Sequence, residues 1–408
     1  MVVYETDRVM IFNADSLAAL RTLPDCSIDS VVTDPPYGLG FMNRAWDKDL
    51  PGGDLWREIL RVLKPGGHML ALGGTRTYHR LVCLIEDAGF EIRDCLMWLY
   101  GSGFPKSHNV ALGIDKKFGH ANRGRAIPTA STYQACDVDR KNKLDANPVP
   151  AYEAHTPEAG PWIGWGTGLK PAHEPICLAR KPFKGTVADN VLQWGTGALN
   201  IDGCRVPSEP ITINRFSDGM KPFGGGAGHP YESSQSEGRW PANILHDGSD
   251  EVVGMFPGAG GQKGKVGPEY GPKASVSTYG DYGPRRDFAP RTDTGSAARF
   301  FYCAKASKKE REAGLSGDGC PVLDGRSKPV DNPYLRGKTE RLNTWPTVKP
   351  LALMRYLCRL ITPPDGTILE PFMGSGSTVI AALEEGFSCV AVDREAEACQ
   401  IAIGRLGA

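Results

Sequence analysis

The 408-residue sequence predicts an α/β protein with a doubly wound, mostly parallel sheet and a large irregular central insertion. Three observations predict it. Short apolar runs alternate with 3.6-residue periodicity over the first hundred residues, and the same alternation resumes from about residue 351 to the end. Between them, residues 101–170 and 205–345 are rich in Gly, Pro, Ser and charge, with few periodic apolar runs.

In order, residues 9–12 read as a strand, 16–23 as a helix, and 29–33 as a strand ending at Asp34-Pro35-Pro36-Tyr37. Asp54 is expected to cap a helix on which Leu55, Ile59, Leu60 and Leu63 recur, with Pro65-Gly66-Gly67 as its stop. Residues 68–72 read as a strand, 77–89 as a helix and 92–100 as a strand. Residues 174–179 form an isolated strand inside the irregular region, with 199–201 as a further short one. Towards the C-terminus, Leu351, Met354, Leu357, Cys358 and Ile361 mark an amphipathic helix. A strand at 367–369 enters Glu370-Pro371-Phe372-Met373-Gly374-Ser375-Gly376-Ser377, which opens a helix through 385. Strand 388–392 ends at Asp393, and a last helix covers 395–406.

Composition narrows the function classes. Hydrophobic residues make up 40% of the chain, enough for a soluble core, and no run approaches the roughly 18–20 apolar residues of a membrane helix. Glu5, Asp7 and Arg8 break any leader-like apolar stretch, so a soluble cytoplasmic protein is expected, with no membrane partner. Eleven cysteines without a CxxC pair fit neither a disulfide framework nor a metal site, so no metal is expected. Net charge is zero, but residues 101–350 hold 33 basic against 26 acidic side chains, whereas residues 1–100 hold 10 against 14. A basic middle suits a surface facing phosphates, and equally a solvated polar insertion.

Two motifs carry chemistry. Thr33-Asp34-Pro35-Pro36-Tyr37 puts a carboxylate, a stiff Pro-Pro turn and an aromatic ring at the carboxyl end of a buried strand, where ligands bind in open α/β sheets. An exocyclic base amine is a poor nucleophile because its lone pair is delocalised into the ring. Acceptors for its hydrogens, the Asp34 carboxylate and the Pro35 carbonyl, would localise that pair and aim it. Tyr37 would stack on a base turned out of a duplex. Taken alone, the motif also reads as a strand-ending turn with an exposed tyrosine.

In the second motif, glycines in a strand-to-helix turn admit a ligand close to the backbone. No Lys-Ser/Thr follows them, and position 379 is Val, so neither a nucleotide phosphate loop nor a complete GxGxxG is present. Asp393, at the end of the next strand, suits two ribose hydroxyls, though a packing turn with a surface Asp has the same pattern.

Together the motifs resemble those of the DNA N6-adenine and N4-cytosine methyltransferases. Their order, catalytic motif first and cofactor glycines last, is similar to the permuted beta group. The resemblance covers residues 7–100, 171–182 and 345–406 and implies a circularly permuted Rossmann-like methyltransferase sheet. Joining the last helix back to Val9 would restore a continuous strand-helix-strand run. It further implies that S-adenosylmethionine is the cofactor. Phe372, Gly374 and Gly376 would shape its pocket, with Glu370 near the methionine moiety and Asp393 on the ribose. Thr347 and Lys349, in Thr347-Val348-Lys349-Pro350, match a motif contacting the methionine end, although Lys349 also reads as a surface lysine. Asp15 matches an acid that approaches the cofactor adenine and reads equally as a helix N-cap. His173-Glu174 matches a strand start.

The same resemblance divides the chain into a methyltransferase domain over 1–204 and 346–408, with 103–165 as an insertion, and a target-recognition region over 205–345. It points to site-specific methylation of adenine N6 on a flipped base in double-stranded DNA, because Asp rather than Ser precedes Pro-Pro-Tyr. Alternatives are cytosine N4 on the same scaffold, or an RNA or protein-glutamine acceptor. In that region Arg285, Arg286, Arg291, Arg299 and the basic cluster at 305–311 are candidates for phosphate or base contacts. By analogy a homodimer is expected, near the nucleoid of a prokaryote or phage host. The recognition sequence, any companion restriction enzyme and the role of Gly-rich residues 224–295 are not legible.

Overall fold

The structure, a computed structural model, describes residues 1–40, 45–103, 107–120, 152–208, 211–215, 232–236, 238–259, 295–304, 310, 312, 314, 315, 320, 321 and 340–407. They form two compact units. One comprises Met1–Trp98, Glu174–His246 and Phe256–Ala408; the other comprises Leu99–His173 and Asp247–Met255.

The first unit is organised by a ten-stranded sheet. Its strands are β1 (Val2–Glu5), β2 (Val9–Asn13), β3 (Ile28–Thr33), β4 (Leu63–Leu72), β5 (Glu91–Leu99), β6 (His173–Arg180), β7 (Ile244–His246), β8 (Tyr302–Cys303), β9 (Thr367–Glu370) and β10 (Ser388–Asp393). They lie in the order β1-β2-β10-β9-β3-β4-β6-β5-β7-β8. The run from β2 to β4 is parallel throughout, whereas β1 and β6 pair antiparallel with β2 and β4. All six residues of β3 are buried, as a central parallel strand covered on both faces requires. Val31, Met69, Ala71, Cys177, Ala179 and Leu369 join one apolar cluster with helices α2 (Gly53–Val62) and α3 (Tyr78–Asp87). The alternating residues Val32, Leu70, Leu178 and Ile368 are buried too and face the other way. The sheet is therefore doubly wound.

The permutation is visible in the register. β10 pairs with β2 along five residues, Cys389 opposite Val9 through Asp393 opposite Asn13, so the two ends of the chain close one continuous sheet. Asn13 reinforces the joint by donating its side-chain amide to the Asp393 and Arg394 carbonyls. In the other unit, helix α4 (Val110–Lys117) is capped by Asn109, whose side chain accepts from Leu112 N–H. There the buried Asp115 accepts hydrogen bonds from Tyr152, His155 and Thr156.

Some local expectations differ. Helix α2 starts two residues earlier than expected, with Gly52 as N-cap, leaving Asp54 in the first turn, where a carboxylate still suits the positive helix end. Pro65-Gly66-Gly67 does not end a helix before a separate strand; it lies inside β4. Its backbone is satisfied across the sheet, because Gly66 N–H donates to the Lys181 carbonyl and Lys181 N–H donates to that of Gly67. Residues 199–201 form a turn, not a strand, with Asn200 N–H bonded to the Leu360 carbonyl.

Within 205–345, β7 and β8 extend the sheet of the first unit. Arg285, Arg286, Arg291, positions 305–309 and 311, and most of 224–295 lie outside the described residues. Arg299 is described, and its guanidinium donates to the carbonyls of Gly295, Ser296 and Ala259. No helix among the described residues is long and apolar enough to cross a membrane. No group of three or more potential metal ligands occurs among them.

Candidate active site

The site follows from strand order. β9 lies between β3 and β10, with Leu369 opposite Val31 and Glu370 opposite Ala391. Three neighbouring parallel strands thus deliver their following loops to one edge, although β3 and β9 are more than 330 residues apart in sequence. With the start of helix α1 (Ser16–Leu20) and the segment before helix α7 (Leu351–Ile361), which follows α5 (Val187–Trp194) and α6 (Asp250–Met255) in chain order, these loops enclose a cavity of about 450 Å³.

Asp34 and Pro36 line this cavity from the first motif, and Glu370, Phe372, Gly374 and Asp393 line it from the second. Asp15, Thr347 and Lys349 line it as well. Asp15 also caps α1, accepting from Ala18 N–H at 3.1 Å, so both sequence readings describe the same side chain. Pro35, Tyr37 and Gly376 are not among the lining residues. Pro35 is buried. The Tyr37 hydroxyl lies 2.8 Å from Asp34 Oδ1 and 3.2 Å from Glu174 Oε2. Gly376, at φ +81°, begins helix α8 (Ser377–Glu384), and a Cβ there would lie 2.8 Å from the Ala402 methyl on helix α9 (Ala396–Arg405). Its demand is close packing and a left-handed backbone. Gly376→Ala should therefore lower stability by about 1–3 kcal/mol, read as a lower Tm by calorimetry, and an unchanged Tm would contradict this account.

Gly374 has a different reason to be glycine. At φ +53°, a Cβ would sit 2.8 Å from Trp345 Nε1 at the cavity wall. Its N–H donates to Asp393 Oδ2 at 2.8 Å, while Glu395 N–H donates to Asp393 Oδ1 at 2.9 Å. Each carboxylate oxygen retains a lone pair for a ligand hydroxyl. Burial raises the Asp393 carboxyl above its ordinary value, and the two N–H donors partly oppose that.

Glu370 is 1% exposed. Thr33 Oγ1 and Phe372 N–H donate to its Oε1 at 2.7 and 3.0 Å, and Thr378 Oγ1 donates to its Oε2 at 2.7 Å. These neutral donors only partly offset burial, which pushes the carboxyl up to about 7. A cationic ligand group would suit it.

Asp34 lies among charges. Lys349 Nζ is 2.9 Å from Asp34 Oδ2 and 3.1 Å from Glu174 Oε2, and it sits 5.4 Å from the Tyr37 ring centroid. Burial pushes the Asp34 carboxyl up, and the Lys349 ammonium holds it down. Burial would lower the ammonium, but Asp34 and Glu174 together keep it above the usual lysine range. Burial, then Asp34 and Glu174, push the Tyr37 phenol well upward, so it remains a donor.

Several contributors were not singled out from the sequence. Asp47, 3% exposed, accepts backbone N–H bonds from Tyr37 at 2.6 Å, Gly38 at 3.1 Å and Leu39 at 3.3 Å, fixing the loop after Pro36. Trp46 and Trp345 stack at 5.9 Å with 17° between planes, and both line the cavity. Buried Arg405 donates to the Ser375 carbonyl at 2.6 Å and braces the glycine turn. Only Trp46-Asp47, a few residues after the first motif, offered a local signal; the rest are tertiary contacts.

A family model described as DNA methylase matches residues 28–404. Type II methyltransferase M.HindIII of Haemophilus influenzae is 24% identical over 236 residues, covering 47% of this chain and 64% of that protein. Type II methyltransferase M.HpaI of Haemophilus parainfluenzae is 31% identical over 106 residues, covering 24% and 34%. The chain thus spans less than two thirds of the length of either relative. Among solved structures, the M1.HpyAVI–SAM complex is similar over 98% of this chain and 100% of that one, at 13% identity and a TM-score of 0.38. The cytosine-N4-specific PvuII DNA methyltransferase is similar over 99% and 88%, at 12% identity and a TM-score of 0.41. The family match runs from β3, which leads into Asp34, through the Glu370 turn and into the last helix, and the chain belongs to the DNA methylase family of N6 and N4 methyltransferases.

Proposed function

We propose that this protein transfers a methyl group from S-adenosylmethionine to an exocyclic amine of a base in double-stranded DNA, with adenine N6 as the acceptor. The observation that carries the proposal is the single cavity lined both by Asp34 and by Glu370, Gly374 and Asp393. When bound, S-adenosylmethionine supplies an electrophilic methyl group on a sulfonium. The residues fit that cofactor. Glu370 is a desolvated carboxylate for an ammonium, and Asp393 keeps lone pairs for a ribose diol. Phe372 and Thr347 line the same space.

The Asp34 carboxylate and the Pro35 carbonyl accept the amine hydrogens and aim the lone pair away from the ring. The extruded base stacks on Tyr37, whose loop Asp47 holds. The proton released after transfer leaves through Asp34 or water. Asp before Pro-Pro-Tyr favours adenine. A homodimer is proposed by analogy.

Nucleoside mass spectrometry of DNA from cells expressing the protein tests the proposal. N6-methyladenine is expected. N4-methylcytosine without it would overturn the adenine assignment, and neither base would overturn the function.

Cofactor affinity should depend on pH through Glu370. Its carboxyl is held near 7, so near neutrality an ammonium draws it to its ionised form and a proton is released. Affinity should therefore rise from about pH 5.5 to 7, with proton release visible in calorimetry across buffers of different ionisation enthalpy. In Glu370→Gln that dependence should vanish. A wild-type dissociation constant flat over this window would contradict the assignment.

A further inference from the structure

The Asp34–Lys349–Glu174–Tyr37 cluster contains a carboxylate that the proposed methyl transfer does not use. Glu174 enters from the start of β6, the antiparallel strand beside β4. Its Oε2 meets both the Lys349 ammonium at 3.1 Å and the Tyr37 hydroxyl at 3.2 Å. Lys349 in turn contacts Asp34 Oδ2 at 2.9 Å and donates to the Tyr37 oxygen at 3.3 Å. The four side chains form a closed ring, and the side chains of Asp34, Glu174 and Lys349 are 17%, 19% and 12% exposed. One buried ammonium is therefore shared by two carboxylates.

We propose that Glu174 is a positioning residue: by holding the Lys349 ammonium between two carboxylates, and Tyr37 by its hydroxyl, it sets the aim and charge balance of Asp34. The inference rests on the assignment of Asp34 to the acceptor amine. It gives Lys349 a role through Asp34, in place of a cofactor contact. A lysine facing Asp34 alone would draw its carboxylate into a tight pair and away from a ligand. A second carboxylate, 3.1 Å from the same ammonium, restrains it and weakens its claim on Asp34. The Tyr37 hydroxyl, anchored by Asp34 and Glu174, keeps the ring from turning.

The charged and titratable groups bearing on Asp34 are Lys349, Glu174 and Tyr37, with Glu370 across the cavity. Glu174 pushes the Asp34 carboxyl up and Lys349 pulls it down. Removing either charge must then move Asp34 in opposite directions. Simple loosening of the fold cannot do that.

The test has two readouts. First, the Asp34 carboxyl is titrated by NMR in protein labelled with carboxyl-13C aspartate, assigned through Asp34→Asn. Its midpoint should fall in Glu174→Gln and rise in Lys349→Met, with Lys349→Arg restoring it towards wild type. Second, the acid limb of kcat for labelled methyl transfer to duplex DNA should follow. Asp34 must be ionised, so the limb moves to lower pH in Glu174→Gln and to higher pH in Lys349→Met. In Glu174→Gln, kcat at neutral pH should fall about tenfold or more with cofactor Kd within about twofold. Unmoved midpoints, or midpoints moving the same way in both variants, overturn the inference. Absence of transfer by the wild type, with the midpoints moving as expected, overturns the methyltransferase assignment and leaves the charge balance standing.

Discussion

Asp34→Ala should reduce kcat for methyl transfer to duplex DNA by at least about 10²–10³-fold, the loss typical of removing one preorganised polar group from a reacting centre. Cofactor affinity should stay near wild type, because the carboxylates offered to the cofactor, Glu370 and Asp393, have their own donors, none of which is Asp34. The lysine is not stranded, since Lys349 keeps Glu174 as a partner. The expected pattern is thus a protein that binds S-adenosylmethionine and turns over scarcely at all, measured by calorimetry and by label transfer. Asp34→Asn is a milder companion. It keeps the shape and one acceptor but loses the charge that holds Lys349. Normal turnover in Asp34→Ala would remove the basis for the proposed function.

Asp393→Ala should act on the other half of the site. Asp393 is 9% exposed and does two jobs: it tethers Gly374 and Glu395 N–H, and it offers its remaining lone pairs to the cavity. Hydrogen bonds to a charged group are worth roughly 1.5–3 kcal/mol each. Loss of one at the ligand therefore predicts a cofactor Kd weaker by about 10–150-fold. Release of the Gly374 tether should add to that, because the turn between β9 and α8 loses its tie to β10. Calorimetric titration checks it, and an unchanged dissociation constant would contradict the assignment. The two variants should separate cleanly, Asp34 in turnover and Asp393 in binding.

The elements lining the site were largely legible. The strand ending at Asp34, the strand ending at Glu370 and the strand ending at Asp393 carry dense β-branched and apolar residues that fit only a buried sheet. The cofactor turn was legible because glycine at left-handed φ is a chemical requirement, visible as a residue type. What differed between Gly374 and Gly376 was not legible. Both are glycines two residues apart, yet one abuts a tryptophan at the cavity wall and the other a helix methyl. Pro65-Gly66-Gly67 misled for a related reason. Local turn chemistry was outweighed by pairing with Lys181, a partner more than a hundred residues away.

By itself, the sequence determined the fold class, the permuted order of the motifs and a minority of the residues that line the cavity, among them Asp34, Glu370, Gly374 and Asp393, because periodicity, strand-end acids and turn glycines are local properties of the chain. Only the tertiary structure decided which strands are neighbours, and hence that Asp34 and Glu370 share one edge of the sheet. It alone revealed the roles of Asp47 and Arg405 and the pairing of Glu174 with Lys349, since a buried charge is defined by the partner it meets, and the partner of Glu174 comes from a distant segment of the chain.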